Sequence, residues 1–90
     1  MVSQKVKIKN PSGLHVRPAG FLCETAVKFQ STITFISSKG NVSNAKSLLS
    51  VLGAGIRYND ELEFICEGPD EEDALAKMVY AVENELENFA

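Results

Sequence analysis

The period of the hydrophobic pattern changes several times along these 90 residues, and each change restricts the fold. Lys5-Val6-Lys7-Ile8-Lys9 alternates polar and apolar, the pattern of a strand buried on one face. Asn10-Pro11-Ser12-Gly13 is turn chemistry. Over residues 16–30 the apolar positions Ala19, Leu22, Ala26 and Phe29 fall at helical spacing. Pro18 suits the first turn of that helix, where an N–H is not needed. Gly20 costs about 1 kcal/mol relative to alanine in a helix interior, and close packing beneath the helix start is its expected reason. Residues 31–36 are β-branched and aromatic, a second strand. Ser37-Ser38-Lys39-Gly40 turns the chain into a short third strand at 41–43. Residues 46–52 read as a short helix closed by Gly53-Ala54-Gly55. Residues 60–67 alternate again, with Leu62, Phe64 and Cys66 on one side. Gly68-Pro69-Asp70 ends that strand, and Asp70 is placed to cap a long final helix. Glu71, Glu72 and Asp73 suit the positive end of its dipole. Its apolar stripe is Leu75, Met78, Val79, Val82, Leu86 and Phe89.

The order βαββαβα predicts an α+β open-faced β-sandwich, a four-stranded antiparallel sheet with three helices on one face. One domain over 1–90 is expected. That architecture hosts many functions, so function must be read from a site.

Composition narrows the classes. No run of about 18 apolar residues occurs, and the first residues lack the apolar stretch of a secretory signal, so a cytoplasmic protein without membrane insertion is expected. Cys23 and Cys66 are far apart and belong to no Cys-x-x-Cys pair, which predicts reduced thiols and no zinc site. The net charge of −3 conceals a split: eight basic residues and one acidic, Glu24, through Tyr58, then eleven acidic and one basic, Lys77, from Asp60 onward. Folding can intermix the halves, or the first can form a basic face for acidic protein partners. Overall acidity and few aromatics argue against nucleic acid.

One segment concentrates chemistry: Ser12-Gly13-Leu14-His15-Val16-Arg17-Pro18-Ala19, containing the only histidine of the chain. His15 falls where a loop becomes a helix. A helix start offers backbone N–H groups without intrahelical partners and a partial positive charge, a ready site for phosphate. Gly13 permits a sharp bend, and Pro18 presets the first turn. Ser12, Gly13 and Val16 are the expected phosphoryl-binding loop. Arg17 adds fixed guanidinium donors for phosphoryl oxygens. Imidazole titrates near neutral pH and keeps a nucleophilic nitrogen there. A phosphorylated imidazole remains a reactive donor, which suits a relay.

Gly13-Leu14-His15-Val16-Arg17-Pro18-Ala19 resembles the active-site signature of the HPr family, the phosphocarriers of the bacterial phosphoenolpyruvate-dependent sugar phosphotransferase system. The likeness extends over the chain, with a second matching segment at Asn44-Ala45-Lys46-Ser47-Leu48-Leu49. It implies that His15 is phosphorylated through its δ1 nitrogen and that Arg17 stabilises the phosphoryl group. Enzyme I, charged by phosphoenolpyruvate, would be the donor, and the A domains of sugar-specific enzymes II the acceptors. The protein would be a carrier without cofactor, turned over by other enzymes, and a monomer. In relatives from low-GC Gram-positive bacteria a serine before the short helix is phosphorylated by an ATP-dependent kinase, HPr kinase/phosphorylase. Ser47 matches it, and Leu48, Leu49 and Leu52 match the helix that docks partners. Against these stand an ordinary helix cap at Ser47 and partial core packing of the leucines. Gly20 and Ala54 stand where bulkier residues are expected, and the stretch before Ser47 is one residue longer than usual. Two other functions compete: a regulatory protein that uses the Ser47 helix to bind a transcriptional regulator, and a small-molecule binding module. The second lacks a polar cluster beyond the histidine loop.

Overall fold

The computed structural model describes residues 1–89. Four strands form one antiparallel sheet: β1 (Val2–Lys7), β2 (Thr32–Ser37), β3 (Val42–Asn44) and β4 (Glu61–Glu67), in the order β1-β4-β2-β3. Three helices, α1 (Val16–Ala26), α2 (Leu48–Gly53) and α3 (Glu71–Tyr80), cover one face. The last helix continues through a π turn (Ala81–Glu85) into a 3₁₀ turn (Leu86–Phe89). This is the expected open-faced α+β sandwich. Among the described residues no helix is long and apolar enough to cross a membrane.

Alternation along the strands produces the core. Ile33 and Phe35 of β2 and Leu62, Phe64 and Cys66 of β4 are all buried under the helices. Phe35 and Phe64 are register partners, and their rings meet edge-on at 6.1 Å, a favoured aromatic geometry. From the helix side come Ala19, Leu22, Ala26, Ala74, Met78, Val82 and Leu86. The opposite face stays open and carries charge. Lys5 lies opposite Glu63, and Lys7 opposite Glu61, though neither pair closes into a salt bridge. The charge split along the chain is thus partly neutralised by pairing β1 with β4.

Several boundaries differ from the sequence reading. β1 runs over Val2–Lys7 rather than residues 5–9; Gln4 stands on the helix-facing side yet is exposed, which breaks the apolar alternation that would have marked the start of the strand. α1 stops at Ala26 rather than continuing to residue 30; Lys28 and Phe29 donate three residues back, to Thr25 and Ala26, tightening the chain into a turn. α2 begins at Leu48 rather than at residue 46, because the Lys46 N–H is taken by the Asn44 side chain at 2.9 Å and Ser47 itself is the N-cap.

Asp70 holds the N-cap position of α3, but its side chain makes no capping bond. Its carboxylate accepts instead from the backbone N–H of Gln30 and Ser31, each at 2.9 Å, and from the Ser31 hydroxyl. The Ser31 hydroxyl, followed by the Gln30 N–H, holds the Asp70 carboxyl below the usual carboxylate range. The carboxylate thereby joins the exit of α1 to the entry of α3. Gly20 also departs from expectation: nothing lies within 4 Å of where its Cβ would be, so close packing does not explain it.

Candidate functional site

The loop before α1 is fixed at three points. Asn10, 2% exposed, donates its amide to the Gly13 carbonyl at 2.6 Å. Gly13 has a φ of 65°, the left-handed region that glycine adopts without steric cost. Its α-carbon lies so close to the segment at Ile56 and Arg57 that a Cβ would stand 2.7 Å from the Ile56 carbonyl oxygen. Leu14 is buried, and its N–H donates to that same oxygen at 3.1 Å. A rigid loop therefore delivers the next residue, His15, to the surface.

His15 is the N-cap of α1, exposed, with extended backbone and no side-chain capping bond. Its carbonyl accepts the first helical bond, from Ala19 at 2.9 Å. Pro18 has no N–H, so the amides of Val16 and Arg17 are the ones left facing outward at the helix start. The imidazole Nε2 lies 2.9 Å from the Ser12 hydroxyl oxygen. In the tautomer with its proton on Nε2, that nitrogen donates to Ser12 and Nδ1 keeps its lone pair for an electrophile. Ser12 and His15 thus meet at the start of α1.

Arg17 is exposed, and its guanidinium lies 5.7 Å from the centroid of the Phe89 ring. Among the described residues it makes no ion pair. An open groove beside it is lined by Val16, Gly20, Phe21, Glu24 and Phe89.

Ser47 and the leucines form a second cluster, tied to α1. The Cys23 thiol donates to the Lys46 carbonyl at 3.1 Å, and the Lys46 ammonium donates to the Phe29 carbonyl at 2.6 Å. Ser47 accepts from the Ser50 N–H at 3.2 Å. α2 is rooted by buried Val51 and half-buried Leu52, whereas Leu48 and Leu49 are 39% and 83% exposed. Core packing accounts for Leu52 in part and not for Leu49. Val16, 63% exposed, adds an apolar side chain at the start of the adjoining helix.

The sequence reading did not include Ile56, whose carbonyl holds the loop, or Phe89 as a neighbour of Arg17. Ile56 carries no local signal, since it acts through its backbone. Phe89 had one, its place on the α3 stripe, which brings it against α1. Among the described residues no group of three or more His, Cys, Asp or Glu side chains is placed to hold a metal ion.

Residues 2–84 match the family model described as the PTS HPr component phosphorylation site. A phosphocarrier protein HPr from Mycoplasma genitalium is 40% identical over 76 residues, covering 84% of this chain and 86% of the relative. The HPr-like protein Crh of Bacillus subtilis is 34% identical over 86 residues, 96% of this chain and all of the relative. A multiphosphoryl transfer protein of Vibrio cholerae is 44% identical over 78 residues, 84% of this chain; the chain spans only 20% of that relative's length. Among solved structures, HPr-C-His from Thermoanaerobacter tengcongensis superposes with a TM-score of 0.90 at 34% identity, covering 96% of each chain. A histidine-bearing helix start on this sandwich, and a family match over nearly the whole chain, lead to one conclusion: the chain belongs to the HPr family of phosphocarrier proteins.

Proposed function

We propose that this chain accepts a phosphoryl group on His15 from enzyme I, itself charged by phosphoenolpyruvate, and passes it to the A domains of sugar-specific enzymes II. The observation that carries the reading is the His15 imidazole at the N-cap of α1, with Nε2 beside the Ser12 hydroxyl. The Nδ1 lone pair attacks phosphorus, a P–N bond forms, and the bond from phosphorus to the donor breaks. The outward amides of Val16 and Arg17 and the α1 dipole then face the phosphoryl oxygens. Arg17 supplies the charged donors. The second transfer reverses the roles, so the protein is a carrier and its partners supply turnover. It works as a monomer in the cytoplasm, needs no cofactor, and binds neither nucleic acid nor membrane.

Exposed Val16, Leu48 and Leu49 on two packed helices support a docking face for those partners, with half-buried Leu52 at its edge. Ser47 is the proposed regulatory position. Phosphate there, from HPr kinase/phosphorylase and ATP, adds a charge of about −1.5 to −2 beside Leu48 and Leu49 and hinders docking of enzyme I. A second reading makes Ser47 phosphorylation, and binding to a transcriptional regulator, the main use of the same position.

The test is mass spectrometry after incubation with phosphoenolpyruvate and enzyme I. One acid-labile phosphoryl group is expected, absent in His15→Ala. Modification by ATP and the kinase alone, with none from phosphoenolpyruvate, would leave only the regulatory reading.

A further inference from the structure

The Arg17 guanidinium lies over the Phe89 ring, 5.7 Å from its centroid, and Phe89 in turn packs against Phe21 with ring centroids 5.3 Å apart. Arg17 and Phe21 are one turn apart on α1 and flank the same ring. The 3₁₀ turn bearing Phe89 is rooted by Leu86, 1% exposed. Leu86 and Phe21 thus hold Phe89 beside α1, next to exposed Arg17. A cation–π contact does not consume the guanidinium N–H donors. A groove with Gly20 in its wall lies alongside. Beyond its own neighbours and the α1 backbone, nothing lies within 4 Å of a Cβ built at Gly20.

His15 and Arg17 are two positions apart, and side chains at that spacing do not face each other across a helix turn. The guanidinium over Phe89 makes no hydrogen bond to the imidazole, which among the described residues is partnered by Ser12. We propose that Phe89 is a positioning residue that sets the resting rotamer of Arg17, and that stacking on Phe89 and pairing with the phosphoryl group exclude each other. This rests on the carrier reading above. Phosphorylation then displaces Arg17 from the ring, and the stack opposes the charged state by the strength of one exposed cation–π contact. That corresponds to about 2–5-fold in the transfer equilibrium.

Two measurements test this. In the resting protein, the Arg17 Nε–H proton is shifted upfield by the ring current of Phe89. The shift is lost in Phe89→Leu and kept in Phe89→Trp. This measurement needs no phosphoryl group. On charging by enzyme I and phosphoenolpyruvate, the shift disappears in the wild type. Phe89→Leu moves the transfer equilibrium toward the phosphorylated carrier by about 2–5-fold, and Arg17→Ala removes that effect of Phe89→Leu. Persistence of the upfield shift in the phosphorylated protein overturns the exclusion, as does an equal effect of Phe89→Leu in the Arg17→Ala background. A wild-type chain that never charges overturns the carrier reading itself, a result distinct from the resting resonance.

Discussion

Replacing Gly13 with alanine puts a methyl group where the loop meets the segment at Ile56. The φ of 65° costs an L-residue about 1–2 kcal/mol. The new Cβ would stand 2.7 Å from the Ile56 carbonyl oxygen and 2.9 Å from the Arg57 α-carbon. Both are backbone atoms and cannot rotate aside, so the loop must lift. Lifting sacrifices the bond from Leu14 N–H to the same carbonyl, 3.1 Å in the native fold, about 1 kcal/mol more. A stiffer unfolded chain returns about 0.4–1 kcal/mol. The net loss is about 2 kcal/mol, a fall in Tm of about 8–16 °C for a domain of this size. Two controls separate the causes in a thermal melt followed by circular dichroism. Gly40 has a φ of 85° and nothing within 4 Å of its Cβ position, so Gly40→Ala should lose only about 1 kcal/mol. Gly20 lies in the interior of α1 with the same open space, so Gly20→Ala should gain about 0.5–1 kcal/mol. A Gly13→Ala melt no lower than that of Gly40→Ala would refute the steric argument.

Acid should weaken the fold through Asp70 and Glu71. The Ser31 hydroxyl and Gln30 N–H lower the Asp70 carboxyl from its usual 3.8, and the Met1 ammonium and Gly68 N–H lower Glu71 from 4.5. Folding favours the charged form of each, so their contribution is present above those usual values and is lost as pH falls through the lower folded ones. The urea midpoint should drop between about pH 5 and 2, and less in Asp70→Asn; equal drops would remove Asp70 from the account. Burial pushes the Cys66 thiol up, whereas Cys23 is only half-buried. A thiol reagent should therefore label Cys23 in the native protein and Cys66 only on unfolding, and similar rates at both would contradict the packing. Leu49, 83% exposed, should be replaceable by alanine within about 0.5 kcal/mol of stability. Its loss should nevertheless weaken binding to enzyme I in a titration, and unchanged affinity would take it out of the docking face.

What the sequence made legible was what depends on near neighbours. Leu62, Phe64 and Cys66 declare a strand because one face of β4 is covered throughout, whereas Gln4 conceals the start of β1 by being exposed on the covered side. Gly13, His15 and Pro18 mark a bent loop entering a helix within six residues, and the structure has that loop and helix start. Asp70 was legible as a cap from local rules alone. Its actual partners, Gln30 and Ser31, lie 40 and 39 residues away, and no local rule reaches them. Gly20 looked like a packing glycine but borders open space. The stack of Arg17 on Phe89 joins two ends of the chain and depends on how α3 is carried past α1.

The central claim is that His15 takes the phosphoryl group on Nδ1 while Nε2 stays beside the Ser12 hydroxyl. Nitrogen-15 NMR of the imidazole, recorded before and after charging by enzyme I and phosphoenolpyruvate, tests it directly. The account predicts that Nδ1 takes the phosphorus coupling and the large shift, while Nε2 keeps its proton. Phosphorus on Nε2, or an imidazole unchanged after charging, would contradict it.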